Sequence, residues 1–405
     1  MYSLLQGLRI VECASFIAAP SCALHLRQLG AEVIRIDPIG GGPDFRRWPV
    51  SEGGDSYYWE GLNKGKKSIA IDFGKPEGRQ LVADIVTAPG ADAGVLVTNF
   101  PKEGFLAHEP LARKRPDLVS VRVMGWSDGD SAVDYTVNAS IGIPFMTGGD
   151  EYGASPVNHV LPAWDLLTGA YAAFNVLAAE RDRLRTGRGH EITVSLSDVA
   201  LAALGNTGQI AEVLASGDRP RYGNALFGAF GRDFATADGE RVMVVAITRR
   251  QWTGLVASLA LDAQVAQVEA ARGVSFAKDE GARFVHRDAL FPLVEAAIAA
   301  LPLAQVRERF DRNGVCWSPY LTLSRGLKED PRLSLASSLF SDLTHPSGAT
   351  YPAPGAAAMF AGRDREAGVA APRLGAHTDD VLGQVLGLGR SRIAELHAAG
   401  LVASA

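Results

Sequence analysis

Short apolar runs alternate with amphipathic stretches along the first third of the chain. Gly7 to Cys13 (GLRIVEC) is a glycine-bounded apolar run of strand length, and Ala18 to Leu29 carries apolar residues at helical spacing. Ala31 to Asp37 (AEVIRID) is a second strand, which completes a βαβ opening. The pattern continues with a strand at SIAID after Lys67, a helix over Pro76 to Val86, a buried strand over Ala93 to Thr98 and another over Leu118 to Met124. Strands this short and apolar predict an α/β fold, a parallel sheet covered by helices on both faces.

The strongest helical signal lies beside one carboxylate. Between Pro156 and Gly189, apolar residues recur at Leu166, Leu167, Ala170, Ala173, Phe174, Leu177 and Ala178, and Glu180, Arg181, Arg183 and Arg185 carry the polar end. The spacing predicts a helix that starts at Asp165 and stops at Gly187 or Gly189, glycines suited to a left-handed C-cap. Two readings of Asp165 stand side by side. As an N-cap it stabilises the helix by about 1 kcal/mol. Behind the apolar approach VLPAW it is instead a carboxylate in a dry place, costly unless it has a partner or a task. Ile192 to Leu214 reads as a further, largely helical run.

Turn formers cluster at Ser216 to Gly223 (SGDRPRYG), and the texture then changes. GAFGRDFATADGERVMVVAI reads as a hairpin turning at Asp238-Gly239, and helices follow over Asp288 to Ala300 and Leu303 to Asn313, the latter stopped by Gly314. Residues 223–325 form a smaller α+β domain on this pattern. Helical texture returns towards residue 405, with Thr378 as an N-cap.

The 405 residues are 47% hydrophobic and 21% charged, with a net charge of −5, so adhesion to nucleic acid or an anionic membrane has no electrostatic support. Cys13, Cys22 and Cys316 have neither metal-type nor disulfide-framework spacing. The amino-terminal segment lacks the pattern of a secretory signal and no run of about 18 apolar residues occurs, so a cytoplasmic protein is expected.

Motif chemistry narrows the field by exclusion. The first βα turn reads ASFIAAP where a dinucleotide fold needs a Gly-rich turn, so the acidic Asp37 alone does not make an NAD site. No zinc, calcium, P-loop or G-x-S-x-G pattern is present. His159, His190 and His377 read as loop hydrogen-bonding groups. Arg46, Arg47, Lys64, Lys66 and Lys67 crowd around Gly65, as a solvated loop or as a grip for phosphates, and both readings stay open.

Five segments in order resemble the class III CoA-transferase family, which includes formyl-CoA transferase, carnitine CoA-transferase and the α-methylacyl-CoA racemases. They are GLRIVECASFIAAPSCALHLRQLGAEVIRID, LNKGKKSIAIDFGKPEGR, LVTNFP, AWDLLTGAYAAFNVLAAERDRLRTGRG and LGAHTDDVL. The resemblance implies a Rossmann-like large domain built from both chain ends, residues 1–215 and 335–405, with the small domain inserted and two chains interlocked as a homodimer. By position it makes Asp165 the catalytic nucleophile and puts Phe16, Ile17, Ala18, Arg46, Lys66, Asn99 and Phe100 on the CoA site. Pro38 and Ile39 stand where formyl-CoA transferase has arginines, and that enzyme's glycine-run lid has no counterpart.

Within the family, DPIGGG, GLNKGKKSIAID, VDYTVNASIGIPFMTG, PVNHVLPAWD and GAFGRDF resemble segments of an enzyme that moves CoA within one molecule, and the resemblance implies transfer between the two carboxyls of one branched unsaturated diacid with a C4 backbone. Transfer between two different acids is the alternative. Val133 occupies the racemases' histidine position and cannot exchange a proton, which argues against racemisation. A silent CoA-binding protein would have no reason to keep a costly carboxylate. Backbone amides near Gly148-Gly149 or at the Asp165 helix start are candidate oxyanion donors, and Tyr135, Asn138 and His159 are candidates for holding the far carboxylate. No cofactor beyond the CoA moiety, no metal, no nucleic acid and no membrane enters this expectation.

Overall fold

The computed structural model describes residues 1–405. It divides into two compact units, one of Met1–Ile141, His159–Ala211 and Leu335–Ala405, the other of Gly142–Asn158 and Glu212–Ser334.

The first unit is built on a seven-stranded sheet. Six strands are parallel: β1 (Arg9–Cys13), β2 (Glu32–Asp37), β3 (Lys67–Ile71), β4 (Val95–Thr98), β5 (Val119–Met124) and β6 (His190–Ser195), in the order β3-β2-β1-β4-β5-β6. The short strand Val402–Ala403 adds antiparallel to β3, with Val402 opposite Ile71. Successive residues of one strand enter opposite layers, which is why apolar residues occur at both parities along these strands. Ile10 joins Val33, Val95, Val97, Val119 and Val121 on the side of α1 (Ala18–Gln28). Val11 and Cys13 join Ile34, Ile36, Ile69, Ile71 and Leu96 on the side covered by helices Pro76–Thr87, Thr378–Leu386 and Arg390–Ala398.

The long helix Ala163–Thr186 lies on α1 at unusually close range. Gly169 makes that approach possible, because a Cβ there would lie 2.6 Å from the Ala18 carbonyl oxygen and collide with Ser21 Oγ. The helix ends at Gly187 in the left-handed conformation, φ 70°, as the sequence indicates.

Three local expectations need correction. Residues 190–195 form β6 rather than the start of a helix, pairing from Val119 opposite His190 to Met124 opposite Ser195. HEITVS buries only its last two residues fully, so its alternation is weak, and the next helix starts at Leu196 with Ser195 Oγ accepting the Asp198 N–H. The long helix begins at Ala163, two residues before Asp165. Thr378 is not an N-cap: its hydroxyl donates to the Ala403 carbonyl at 2.7 Å and accepts the Ala70 N–H at 3.2 Å, tying β3 to its antiparallel neighbour.

The second unit carries a three-stranded antiparallel sheet of β7 (Phe230–Ala235), β8 (Arg241–Ala246) and β9 (Cys316–Pro319). Phe230, Phe234, Trp252, Phe276 and Phe310 fill its core. Residues 142–158 belong here rather than with the chain that precedes them. Arg221 binds the carbonyls of Phe145, Pro144 and Ser155, replacing hydrogen bonds that the irregular segment cannot make within itself.

Candidate active site

In an open parallel sheet, ligands collect where neighbouring strands send their connections to opposite sides, beyond the carboxyl ends of the strands. Here that point falls between β1 and β4. Asn99, just past β4, spans the gap, its side-chain oxygen accepting the Ser15 N–H at 3.1 Å and its amide donating to the Ser15 carbonyl at 3.0 Å. A cleft of about 770 Å³ opens there, lined by the β1 turn (Ser15 to Ala19), Asn99 to Glu103, the segment around Met124 to Val133, and Asp165. Phe16, Ile17, Ala18, Asn99 and Phe100 are therefore brought to one cleft with Asp165.

Asp165 is not the cap of its helix. The first-turn N–H groups of Trp164 and Asp165 both donate to Asp134 Oδ2, at 2.7 and 3.1 Å, from the start of the helix Asp134–Ser140. The other Asp134 oxygen is bonded to His159 Nε2 at 2.5 Å. Trp164 Nε1 donates to Asn138 Oδ1 at 3.0 Å, and the Tyr135 ring stands edge-on to His159 at 5.5 Å. Asp134 thus satisfies the orphan donors of the helix start, and the Asp165 carboxylate is spared that duty. The same exchange removes the helix-start amides of Trp164 and Asp165 from the candidate oxyanion donors.

The electrostatics follow from this layout. Burial is the main reason the Asp165 carboxyl is pushed up from an ordinary 3.8 to about 7; the nearby Asp134 adds to the rise and Arg47 opposes it. The site therefore holds the proton of this carboxyl well above the usual carboxylate range. Its carboxylate form is more basic than that of an ordinary aspartate.

Below the β1 turn lies a buried ionic network. Arg35 binds Asp37 through two hydrogen bonds of 2.9 Å and also reaches Glu12 at 3.2 Å, Asp44 at 3.0 Å and Asn63 Oδ1 at 3.2 Å. Lys66 Nζ pairs with Glu12 at 2.6 Å and donates to the Pro20 carbonyl at 3.0 Å, its side chain fully buried. The network reaches the cleft through Asp44, whose carboxylate accepts the Phe16 N–H at 3.1 Å. Phe16 has φ 69°, a conformation a bulky residue adopts only when its surroundings enforce it.

Two residues expected at the CoA site do not line this cleft. Lys66 is turned into the interior, where its ammonium pairs with Glu12 Oε2, the carboxylate oxygen that Arg35 does not reach. Arg46 lines a separate cavity with Phe45, Trp59 and Pro372. Lys64 is also turned inward, with its ammonium on the Gly61 carbonyl and its pKa pushed down to about 8 by burial and by Lys66. Tyr135, Asn138 and His159 gather around Asp134 and Trp164. Val133 faces the cleft. Asp134 itself was missed as a functional residue, since its partner lies 31 positions downstream.

The chain belongs to CoA-transferase family III, whose model matches residues 5–378. Within that class it is 46% identical over 405 residues, 100% of this chain and 98% of the relative, to the 2-methylfumaryl-CoA isomerase of Chloroflexus aurantiacus. It is 30% identical over 323 residues, 77% of each chain, to the succinyl-CoA–D-citramalate CoA-transferase of the same organism. Among solved structures, a CaiB/BaiF family protein from Brucella suis superposes with a TM-score of 0.75 at 26% identity, covering 95% of this chain and 100% of that one.

Proposed function

We propose that this protein is an intramolecular CoA transferase that converts the C1 thioester of 2-methylfumarate (mesaconate) into the C4 thioester, with Asp165 as nucleophile. The observation that carries the reading is the Asp165 carboxylate, relieved of helix capping, raised in basicity and set at the edge of the cleft. The full-length similarity to a 2-methylfumaryl-CoA isomerase supports the choice of diacid.

Asp165 attacks the C1 carbonyl and the C–S bond breaks, so that CoA leaves as a thiolate and a mixed anhydride of Asp165 and the diacid remains. The thiolate attacks the aspartyl carbonyl, releasing mesaconate as its dianion and leaving an aspartyl-CoA thioester. The C4 carboxylate then attacks that thioester and expels the thiolate, which finally attacks the C4 acyl carbon and frees Asp165. No net proton is taken up or lost, so no separate acid or base is required. The first-turn N–H groups of Ala18 and Ala19, at the start of a helix with no side-chain cap, supply donors for the oxyanions. The cleft around Phe16, Ile17, Ala18, Asn99 and Phe100 holds CoA.

Incubation of mesaconyl-C1-CoA with labelled free mesaconate tests the reading. C4 thioester formed without label is expected; label entering it at the rate of turnover would instead make this an intermolecular dicarboxylate CoA-transferase. We further propose the homodimer. Leu167, Tyr171 and Phe174 recur on one exposed face of the Ala163–Thr186 helix, an apolar stripe suited to a second copy. Light scattering giving twice the 42.9-kDa chain mass is expected.

A further inference from the structure

A diacid held at Asp165 by one end has a second carboxylate to place, and that charge needs a cation that is not already neutralised. The interior cations are excluded. Arg35 is saturated by Glu12, Asp37 and Asp44, and Lys66 is held by Glu12. The polar groups around Asp134 are occupied with one another.

Arg47 differs from all of these. Its guanidinium stands 5.5 Å from the centre of the Phe16 ring and 5.5 Å from that of Tyr58, and it takes part in no salt bridge. The two rings fix the fork without consuming its donors. Its backbone is set as well: the Arg47 N–H donates to the Asp44 carbonyl at 3.2 Å, and the Arg47 carbonyl accepts Ser56 Oγ. Phe16, one of the flanking rings, lines the cleft with Asp165. Tyr58 adds a second donor, since its hydroxyl is buried without a hydrogen-bond partner. Arg47 is also the cation whose field acts on Asp165.

We infer that Arg47, clasped between Phe16 and Tyr58 and assisted by the Tyr58 hydroxyl, binds whichever substrate carboxylate is not engaged with Asp165, and so makes the site specific for dicarboxylic thioesters. The inference rests on the proposed function and deepens it. One clamp serves both halves of the reaction: it holds the C4 carboxylate while C1 is on Asp165, and the C1 carboxylate once the ends have exchanged. Free mesaconate, a dianion, is held by the same contact between the two halves, which is what an intramolecular transfer requires.

The test compares mesaconyl-C1-CoA with tiglyl-CoA, in which a methyl group replaces the far carboxylate. Exchange of labelled CoA into either thioester requires acylation of Asp165 and reports kcat/KM for both. Arg47 also influences the ionisation of Asp165, but that effect is common to the two substrates and cancels in the ratio of their kcat/KM values. In Arg47→Gln the mesaconyl/tiglyl ratio is expected to fall about 10- to 100-fold, the span of a hydrogen bond to a charged group. Arg47→Lys should recover part of it, and Tyr58→Phe should lower it several-fold. A ratio unchanged in Arg47→Gln, whatever happens to the separate rates, overturns the inference and leaves Arg47 acting on Asp165 alone. Failure of the wild type to isomerise mesaconyl-C1-CoA would overturn the proposed function separately; the clamp is then judged by the same ratio for succinyl-CoA over butyryl-CoA.

Discussion

Two groups of charged residues lie within one unit of the molecule, and they are built on opposite rules. Around Arg35 every ionised group faces an opposite charge: Glu12 meets Lys66 and Arg35, and Asp37 and Asp44 share the guanidinium. At the cleft, Asp165 sits near another carboxylate, Asp134, and no cation is bonded to it. The closed network serves to hold shape, fixing the Phe16 turn through Asp44. Burial first, and the neighbouring Asp134 second, hold the Asp165 carboxyl up near 7, which a bonded cation would oppose. Unbalanced charge marks the chemistry here, and balanced charge marks its support.

The sharpest break of this contrast is Asp165→Ala, for which transfer is expected to fall by on the order of 10³-fold or more while the fold is retained. Chromatography of the CoA products gives the readout, and near wild-type turnover would dismiss Asp165 as nucleophile. Glu12→Gln acts on the other side. It leaves Lys66 as a buried cation with its charge unpaired, and a loss of about 3–5 kcal/mol in denaturant unfolding is expected. A loss under 1 kcal/mol would show that the network is not closed as described.

A third experiment uses linkage. The folded Asp165 carboxyl titrates near 7 rather than 3.8, so the native state holds its proton more tightly than the unfolded chain does. That contribution to stability is complete below the unfolded value and is lost as pH rises through about 7. Asp165→Asn should therefore be more stable than wild type at pH 8, by on the order of 1–3 kcal/mol, with the difference closing towards pH 4. Equal stability at both pH values would mean that the site does not disfavour the ionised form. The smallest expected effect is that of Asp134→Asn, which can retain the cap through its amide oxygen but removes the charge beside Asp165. With Asp165 as the proposed nucleophile, which attacks only when ionised, the acid limb of kcat/KM should move down by less than about one pH unit. A limb that stays in place would separate Asp134 from the ionisation of Asp165.

The parallel sheet was legible because its central strands are buried on both faces and carry clustered β-branched residues, even though Glu12, Arg35 and Arg122 interrupt them. β6 was not, since HEITVS has only its last two residues fully buried. Nor was the short strand at Val402, which depends on a threonine hydroxyl bonded to residues far away in sequence. Asp165 could be picked out from its apolar approach and from the family resemblance, but its true relation to the helix could not, because the cap comes from Asp134. Lys66 was misread for the opposite reason. A lysine beside glycine looks solvated, and the signal to the contrary lay in Glu12, a lone acid inside the strand GLRIVEC that requires a buried cation.

The antiparallel strand Val402–Ala403 also bears on how the protein is made. During synthesis β3 emerges early, together with the neighbours it pairs with on one side, whereas its other edge is covered only after both units have been translated. Throughout that interval the nascent chain displays an apolar strand, Lys67 to Ile71, with open backbone donors and acceptors. The sheet is thus a structure with a delayed seal, and the nascent protein is most prone to self-association before the helices that follow Thr378 arrive to close it.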